Sequence, residues 1–156
     1  MHFITKLLLT FFFNFLALEV FTIDIPKDLI VKITEESKNE EDIKSHNLDL
    51  ISVKYTGWVF DSNATTNNYC DAKGKMFDSN ILDKFNHTQP FQFVLGKGIV
   101  IKGWDQGLQD MKINEQRCLV IPPHLAYGNR RIGNIIEPNS TLIFEVKLLK
   151  ILKVEK

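Results

Sequence analysis

An α+β fold is expected: a twisted antiparallel β-sheet of about five strands wrapped around one short α-helix. Five segments read as strands: four place inward apolar residues at period two, and one is a shorter apolar run ended by a Pro-Pro pair. One stretch alone, Val100 to Met111, repeats its apolar residues at helical spacing. The length of 156 residues holds one core and not comfortably two, and no internal repeat is visible.

The elements follow in order. Leu29, Val31 and Ile33 alternate with Lys32 and Thr34, so 28–35 reads as a half-buried strand. Residues 36–47, opening on Glu36-Ser37-Lys38-Asn39-Glu40-Glu41-Asp42, read as a solvated loop. Ile51, Val53 and Tyr55 alternate with Ser52, Lys54 and Thr56 and mark a second strand. Asp61 to Lys75 is Asn/Thr-rich with Gly74, the composition of a long loop. Phe91, Phe93 and Leu95 mark a third strand.

The helix comes next. Val100, Trp104, Leu108 and Met111 would share one face, with Gly103 and Gly107 allowing close approach to the sheet. Two glycines lower helix propensity, so packing must hold this element. Cys118 to Ile121 makes a fourth strand, ended by Pro122-Pro123, which cannot donate to a ladder. Cys118 is expected on the core face with Leu119 and Ile121, as a small hydrophobe. Leu142, Phe144, Val146 and Leu148 alternate through the last strand, with Phe144 inward.

Charge excludes some partners. Lys+Arg and Asp+Glu both number 19, a balance that points away from nucleic acid and anionic membrane surfaces. The first residues point to the secretory pathway, meaning the endoplasmic reticulum lumen or secretion. Lys6 precedes the apolar run Leu7 to Ala17, which Glu19 closes. That is a signal-peptide layout, too short for a comfortable span of about 20 residues. Cleavage is expected between Ala17 and Ile23, leaving no stable membrane span; an uncleaved anchor is the other reading. The domain organisation is then a signal peptide at 1–22, an N-terminal strand and polar loop at 23–47, and one globular domain at 48–153.

Sequons at Asn63, Asn86 and Asn139 are glycosylation candidates in that compartment. Cys70 and Cys118 are either a disulfide there or two separate thiols. Val154-Glu155-Lys156 is not a Lys-Asp-Glu-Leu-type retrieval signal.

Conventional catalytic motifs are missing. His2, His46, His87 and His124 lack metal-ligand spacing with each other or with the cysteines. There is no nucleophile elbow, phosphate loop or suggestive carboxylate pair, so no metal and no cofactor are expected. What stands out is a set of aromatic and aliphatic residues beside a few polar ones. Tyr55, Trp104 and Tyr127 each carry a polar atom that needs a partner when buried.

Six blocks occur in order: Val53-Lys54-Tyr55-Thr56-Gly57, Phe77-Asp78-Ser79, Phe91 to Gly96, Val100 to Leu108, Leu119 to Gly128, and Pro138 to Leu149. In these blocks the chain resembles the FKBP-type peptidyl-prolyl cis-trans isomerases, the immunophilins that bind tacrolimus and rapamycin. The resemblance runs from about Leu48 to Lys153, so the 48–153 domain would be the isomerase domain. The signal peptide and the stretch Lys102 to Leu108 are similar to the small secretory-pathway members.

The resemblance implies a catalytic pocket with Trp104 as floor and Tyr55, Phe77, Asp78, Ile101, Tyr127 and Phe144 around it. Val100 would complete the wall, and Phe91, Ile135 and Ile136 would border it as substrate- and drug-binding residues. The Ile101 N–H and the Tyr127 phenol would donate to ligand carbonyls, and Asp78 would accept a hydrogen bond. Partners would be proline-containing polypeptides during folding and tacrolimus- or rapamycin-type macrolides. The reaction implied is X–Pro isomerisation, by desolvating and twisting the prolyl amide. A binding or chaperone module with little activity is the alternative.

Departures touch the rim. An Asn/Thr-rich insert holding Cys70 lengthens the span between Gly57 and Phe77, and a small insert lies between Asn80 and Pro90. Well-studied cytosolic members carry there an arginine that pairs with the residue matching Asp78. This chain offers no arginine in that segment, only Lys84. Ile132 and Ile99 stand where those members have histidine and glutamate.

Overall fold

A computed structural model describes residues 23–38 and 43–152. The signal-peptide segment, Asn39 to Asp42 and Lys153 to Lys156 lie outside the described residues. The strands are β1 (Ile30–Glu35), β2 (Leu50–Phe60), β3 (Lys73–Ser79), β4 (Phe91–Val94), β5 (Gln116–Ile121) and β6 (Leu142–Leu152), with one α-helix, α1 (Lys102–Gly107). They form a six-stranded sheet in the order β1-β5-β6-β2-β3, with β4 also on β2. Every pairing is antiparallel.

β2 divides its free edge between two partners. Leu50 to Val53 pair with β4, whereas Thr56 to Phe60 pair with β3. The changeover would strand backbone groups, and the buried Asn80 side chain satisfies them. Its Oδ1 accepts from the Tyr55 N–H, and its Nδ2 donates to Val53 and Gln89 carbonyls.

The helix covers six residues, shorter than its apolar period suggests, and both of its glycines lie where it meets the sheet. A Cβ on Gly103 would sit 2.4 Å from Ile121 Cγ2, and one on Gly107 would sit 2.8 Å from Leu119 Cδ2. Leu108 and Met111 follow the helix and are fully buried. Arg117 closes its end from β5. The guanidinium donates to the Gly107, Gln109 and Asp110 carbonyls and pairs with Glu115, itself buried.

Several expectations are corrected. β3 is a sixth strand where 61–75 reads as loop; Lys73-Gly74-Lys75 has no apolar alternation, and pairing with β2 holds it, with bulges at Trp58. β1 is an edge strand with Val31 and Ile33 exposed rather than half-buried, since no layer covers it there. The polar loop is tied down at Ser45, which is fully buried and bonded to Leu108 and Met111.

Cys118 does not share a face with Leu119 and Ile121. Successive strand residues point to opposite faces, so Leu119 and Ile121 join the helix-side core while Cys118 and Val120 point the other way. A second apolar layer lies there: Ile23, Cys70, Ala72 and Ile143, flanked by Trp58, Phe60 and Tyr69. The insert after β2 thus folds back over the outer face of the sheet, and Cys70 and Cys118 form a disulfide. Among the described residues no helix is long and apolar enough to cross a membrane.

Candidate functional site

The helix-side core opens into one cleft of about 590 Å³. Its floor is Trp104, third residue of α1 and only 4% exposed. The indole lies low because Gly103 lets the helix settle on Ile121. Two rings meet it edge-on: Tyr55 from β2 at 5.1 Å and 81°, and Phe144 from β6 at 5.2 Å and 84°. Phe77 from β3 stands 5.5 Å from Phe144 at 85°, and Phe91 from β4 completes the ring set 6.2 Å from Trp104.

Gly57 sets the spacing of those walls. It pairs with Asp78 on one side and Phe144 on the other. A Cβ there would come within 2.7 Å of Phe77 Cζ and 2.8 Å of Phe144 Cε1. The bare backbone lets both rings lean back and leaves room between them.

Polar groups sit at the edges of this apolar cup. The Tyr55 hydroxyl donates to Asp78 Oδ2 at 2.6 Å, and the Ser79 N–H donates to Asp78 Oδ1 at 2.9 Å. Burial raises the Tyr55 phenol far above its ordinary value, and the bond to Asp78 and its charge push the same way. Tyr127 is raised too, by burial first and then by Asp78, with Arg130 opposing. Both phenols are therefore neutral donors at any ordinary pH.

Ile101 caps the start of α1 with its carbonyl, which accepts from the Trp104 and Asp105 N–H groups. Its own N–H has no protein acceptor among the described residues, and neither does the Tyr127 hydroxyl donate to one. The buried Trp104 Nε1 also lacks a partner. An apolar cup with donors aimed at no protein group suits a ligand that brings carbonyl oxygens and an apolar ring.

The expected residues converge. Tyr55, Phe77, Asp78, Phe91, Val100, Ile101, Trp104, Tyr127 and Phe144 all line this cleft. Ile135 and Ile136 line an adjoining one of about 260 Å³, which shares Phe77, Asp78 and Tyr127 and also takes in Ile132. Ile99 lines the main cleft and is 63% exposed. Lys102, His124 and Arg130 line it as well and are not singled out by any sequence pattern. The sequon asparagines Asn63, Asn86 and Asn139 are all exposed.

The partner of Asp78 is His87, with Nε2 2.8 Å from Oδ1. Lys84 instead lies over the Phe85 ring at 5.1 Å. His87 was legible only as a basic residue in the segment that lacks the arginine; its distance to Asp78 depends on the path of the loop.

The family model described as FKBP-type peptidyl-prolyl cis-trans isomerase matches residues 41–149. FK506-binding protein 2 of Kluyveromyces lactis is 40% identical over 151 residues, 97% of this chain and 94% of the relative. FK506-binding protein 2B of Rhizopus delemar is 47% identical over 108 residues, 69% of this chain and 44% of that protein. FK506-binding protein 1A of Neurospora crassa is 54% identical over 83 residues, 53% of this chain and 66% of that protein. The chain thus spans under half of the Rhizopus relative and just under two thirds of the Neurospora one. The family match runs through every strand and loop that builds the cleft, and on that ground the chain belongs to the FKBP-type peptidyl-prolyl cis-trans isomerases.

Proposed function

We propose that the chain accelerates X–Pro isomerisation in polypeptides folding within the secretory pathway, with the Trp104 cleft as its active site. The observation that carries this reading is an indole-floored apolar cup whose rim holds donors, the Ile101 N–H and the Tyr127 hydroxyl, with no protein acceptor.

Rotation about a peptide bond breaks amide resonance, a barrier of about 18–20 kcal/mol. At X–Pro the isomers differ by only about 0.5–1 kcal/mol, so the obstacle is rate. The twisted amide has lost its resonance dipole and loses less than the planar form when water is removed. A cup of Trp104, Phe77, Phe144 and Tyr127 therefore favours it differentially. The Ile101 N–H holds a substrate carbonyl while the proline ring rests on the indole. No acid, base or nucleophile is required.

Macrolide ligands enter through the relatives' name, FK506-binding. The secretory location rests on the Lys6–Ala17 pattern and the sequons; the Cys70–Cys118 disulfide suits an oxidising compartment. A second reading, a binding module for unfolded apolar segments, is favoured by exposed Ile81, Leu82, Ile99 and Ile132.

The test is an exchange assay on an Ala-Pro-Phe peptide by NMR, using protein from residue 23 onward, with and without rapamycin. Acceleration that rapamycin abolishes is expected. Folded protein that gives the uncatalysed rate yet suppresses aggregation of a denatured client would favour the second reading.

A further inference from the structure

We propose that His87 is a positioning residue for Asp78, and that the charge on its imidazole sets how firmly the carboxylate is held. This rests on the isomerase reading for its kinetic consequence, but not for the contact itself.

Asp78 is held at three points. Tyr55 takes Oδ2, while the Ser79 N–H and His87 Nε2 share Oδ1. The first two come from β2 and from the backbone of β3, and neither changes charge at ordinary pH. The third comes from the 80–90 loop, and an imidazole does change charge there.

The loop is built to deliver it. At the near end, Asn80 is buried and bonded to Tyr55, Val53 and Gln89. Lys54 Nζ ties the two ends together by donating to the Asn80 and Thr88 carbonyls at 3.1 and 2.8 Å. Asn86, left-handed at φ 59°, ends the Asp83–Phe85 turn, and His87 follows at once. His87 is thereby fixed between two anchors.

Besides Tyr55, which donates to Asp78, and Tyr127, which feels the Asp78 charge, the neighbouring charged and titratable groups are engaged elsewhere. Lys84 is over the Phe85 ring, and Lys54 is engaged with carbonyls. Asp83 lies in the turn, and Tyr127 and Arg130 lie in the cleft wall. Among the described residues no other carboxylate is bonded to His87, and no lysine or arginine is bonded to Asp78.

The acceptor is already a carboxylate, so protonation of the imidazole adds a second, opposite charge and turns the hydrogen bond into an ion pair. The side chains are 48% and 34% exposed, so the proton exchanges with solvent and screening keeps the gain small. The carboxylate is then best held on the acid side of the imidazole's range.

The experiment measures kcat/KM from pH 5.5 to 8.5 for the wild type, His87→Ala and His87→Arg. Wild-type efficiency should fall about two- to fivefold from the acid to the alkaline side. His87→Arg should keep the acid-side value throughout, and His87→Ala should stay near the alkaline-side value, all three melting alike. In parallel, the Asp78 carboxyl ¹³C resonance should show an inflection in the imidazole range that His87→Ala removes. A flat wild-type profile, a profile that His87→Ala leaves unchanged, or a carboxyl resonance without the inflection overturns the proposal. Should the wild type not accelerate isomerisation at all, the isomerase reading fails, and the ¹³C titration alone decides the His87–Asp78 coupling.

Discussion

The Tyr55 hydroxyl donates to Asp78 Oδ2 across 2.6 Å, joining β2 to β3 beside the point where the edge of β2 changes partner. Substitution at either end therefore reaches both the cleft and the sheet. Asp78→Val should leave the buried Tyr55 phenol without its acceptor, destabilising the domain by about 1–3 kcal/mol while it still folds. Isomerase efficiency and rapamycin affinity should drop on the order of tenfold, the equivalent of about 1.4 kcal/mol of lost orientation. Thermal unfolding and exchange rates on one sample check both. Unchanged activity and drug binding would remove Asp78 from the site.

The two raised phenols give a pH signature. The folded state holds the Tyr55 and Tyr127 protons more firmly than the unfolded chain does, chiefly through burial. Unfolded tyrosines release their protons near pH 10. Below that the stabilisation is complete; above it the folded state binds more protons than the unfolded one, so stability falls as pH rises. Urea unfolding at about pH 8 and pH 11 should show this loss, and Tyr55→Phe should reduce it. Equal pH dependence in Tyr55→Phe would show that the loss arises elsewhere.

Gly57→Ala tests the spacing of the walls. Its methyl would lie 2.7 Å from Phe77 and 2.8 Å from Phe144, so both rings must shift toward the cleft. A stability loss of about 1–3 kcal/mol is expected, with a rise in KM larger than any fall in kcat. Wild-type melting and kinetics would mean that the rings have space the contacts deny.

The disulfide closes a separation of 48 residues. On loop-closure entropy, removing it should cost up to about 4 kcal/mol. Cys70→Ala/Cys118→Ala should therefore melt well below the wild type. Activity per folded molecule should be retained, because the bridge lies on the face of the sheet opposite Trp104. Two free thiols in unreduced peptides from oxidised material would dispose of the bridge.

Period-two alternation located β2, β4 and β6, an apolar run stopped by Pro122-Pro123 located β5, and the glycine-punctuated apolar spacing located α1. Alternation located β1 but misjudged its burial, because it says that a strand has an apolar side and not that a layer covers it. Val31 and Ile33 are exposed at an edge the helix does not reach. β3 carried no alternation to read, since its two apolar members, Met76 and Phe77, are adjacent and flanked by bulges in its pairing with β2.

By itself the sequence determined the class of fold and one core, since the inward positions of strands are local patterns, and the residues of the aromatic cup followed from the resemblance carried by the six ordered blocks. Tertiary structure alone decided the rest. Strand alternation alone separates Cys118 from Leu119 and Ile121, but which of the two faces the helix covers is set by packing, and that leaves Cys118 on the outer face, where it meets Cys70. Whether the 61–72 insert is solvated depends on that layer having an apolar surface to receive it. Which basic side chain holds Asp78 depends on Asn80 and Lys54 drawing the loop ends together, bringing His87 within 2.8 Å of a carboxylate nine residues away. Each of these is a distance between segments remote in the chain, and only packing and hydrogen-bond satisfaction set it.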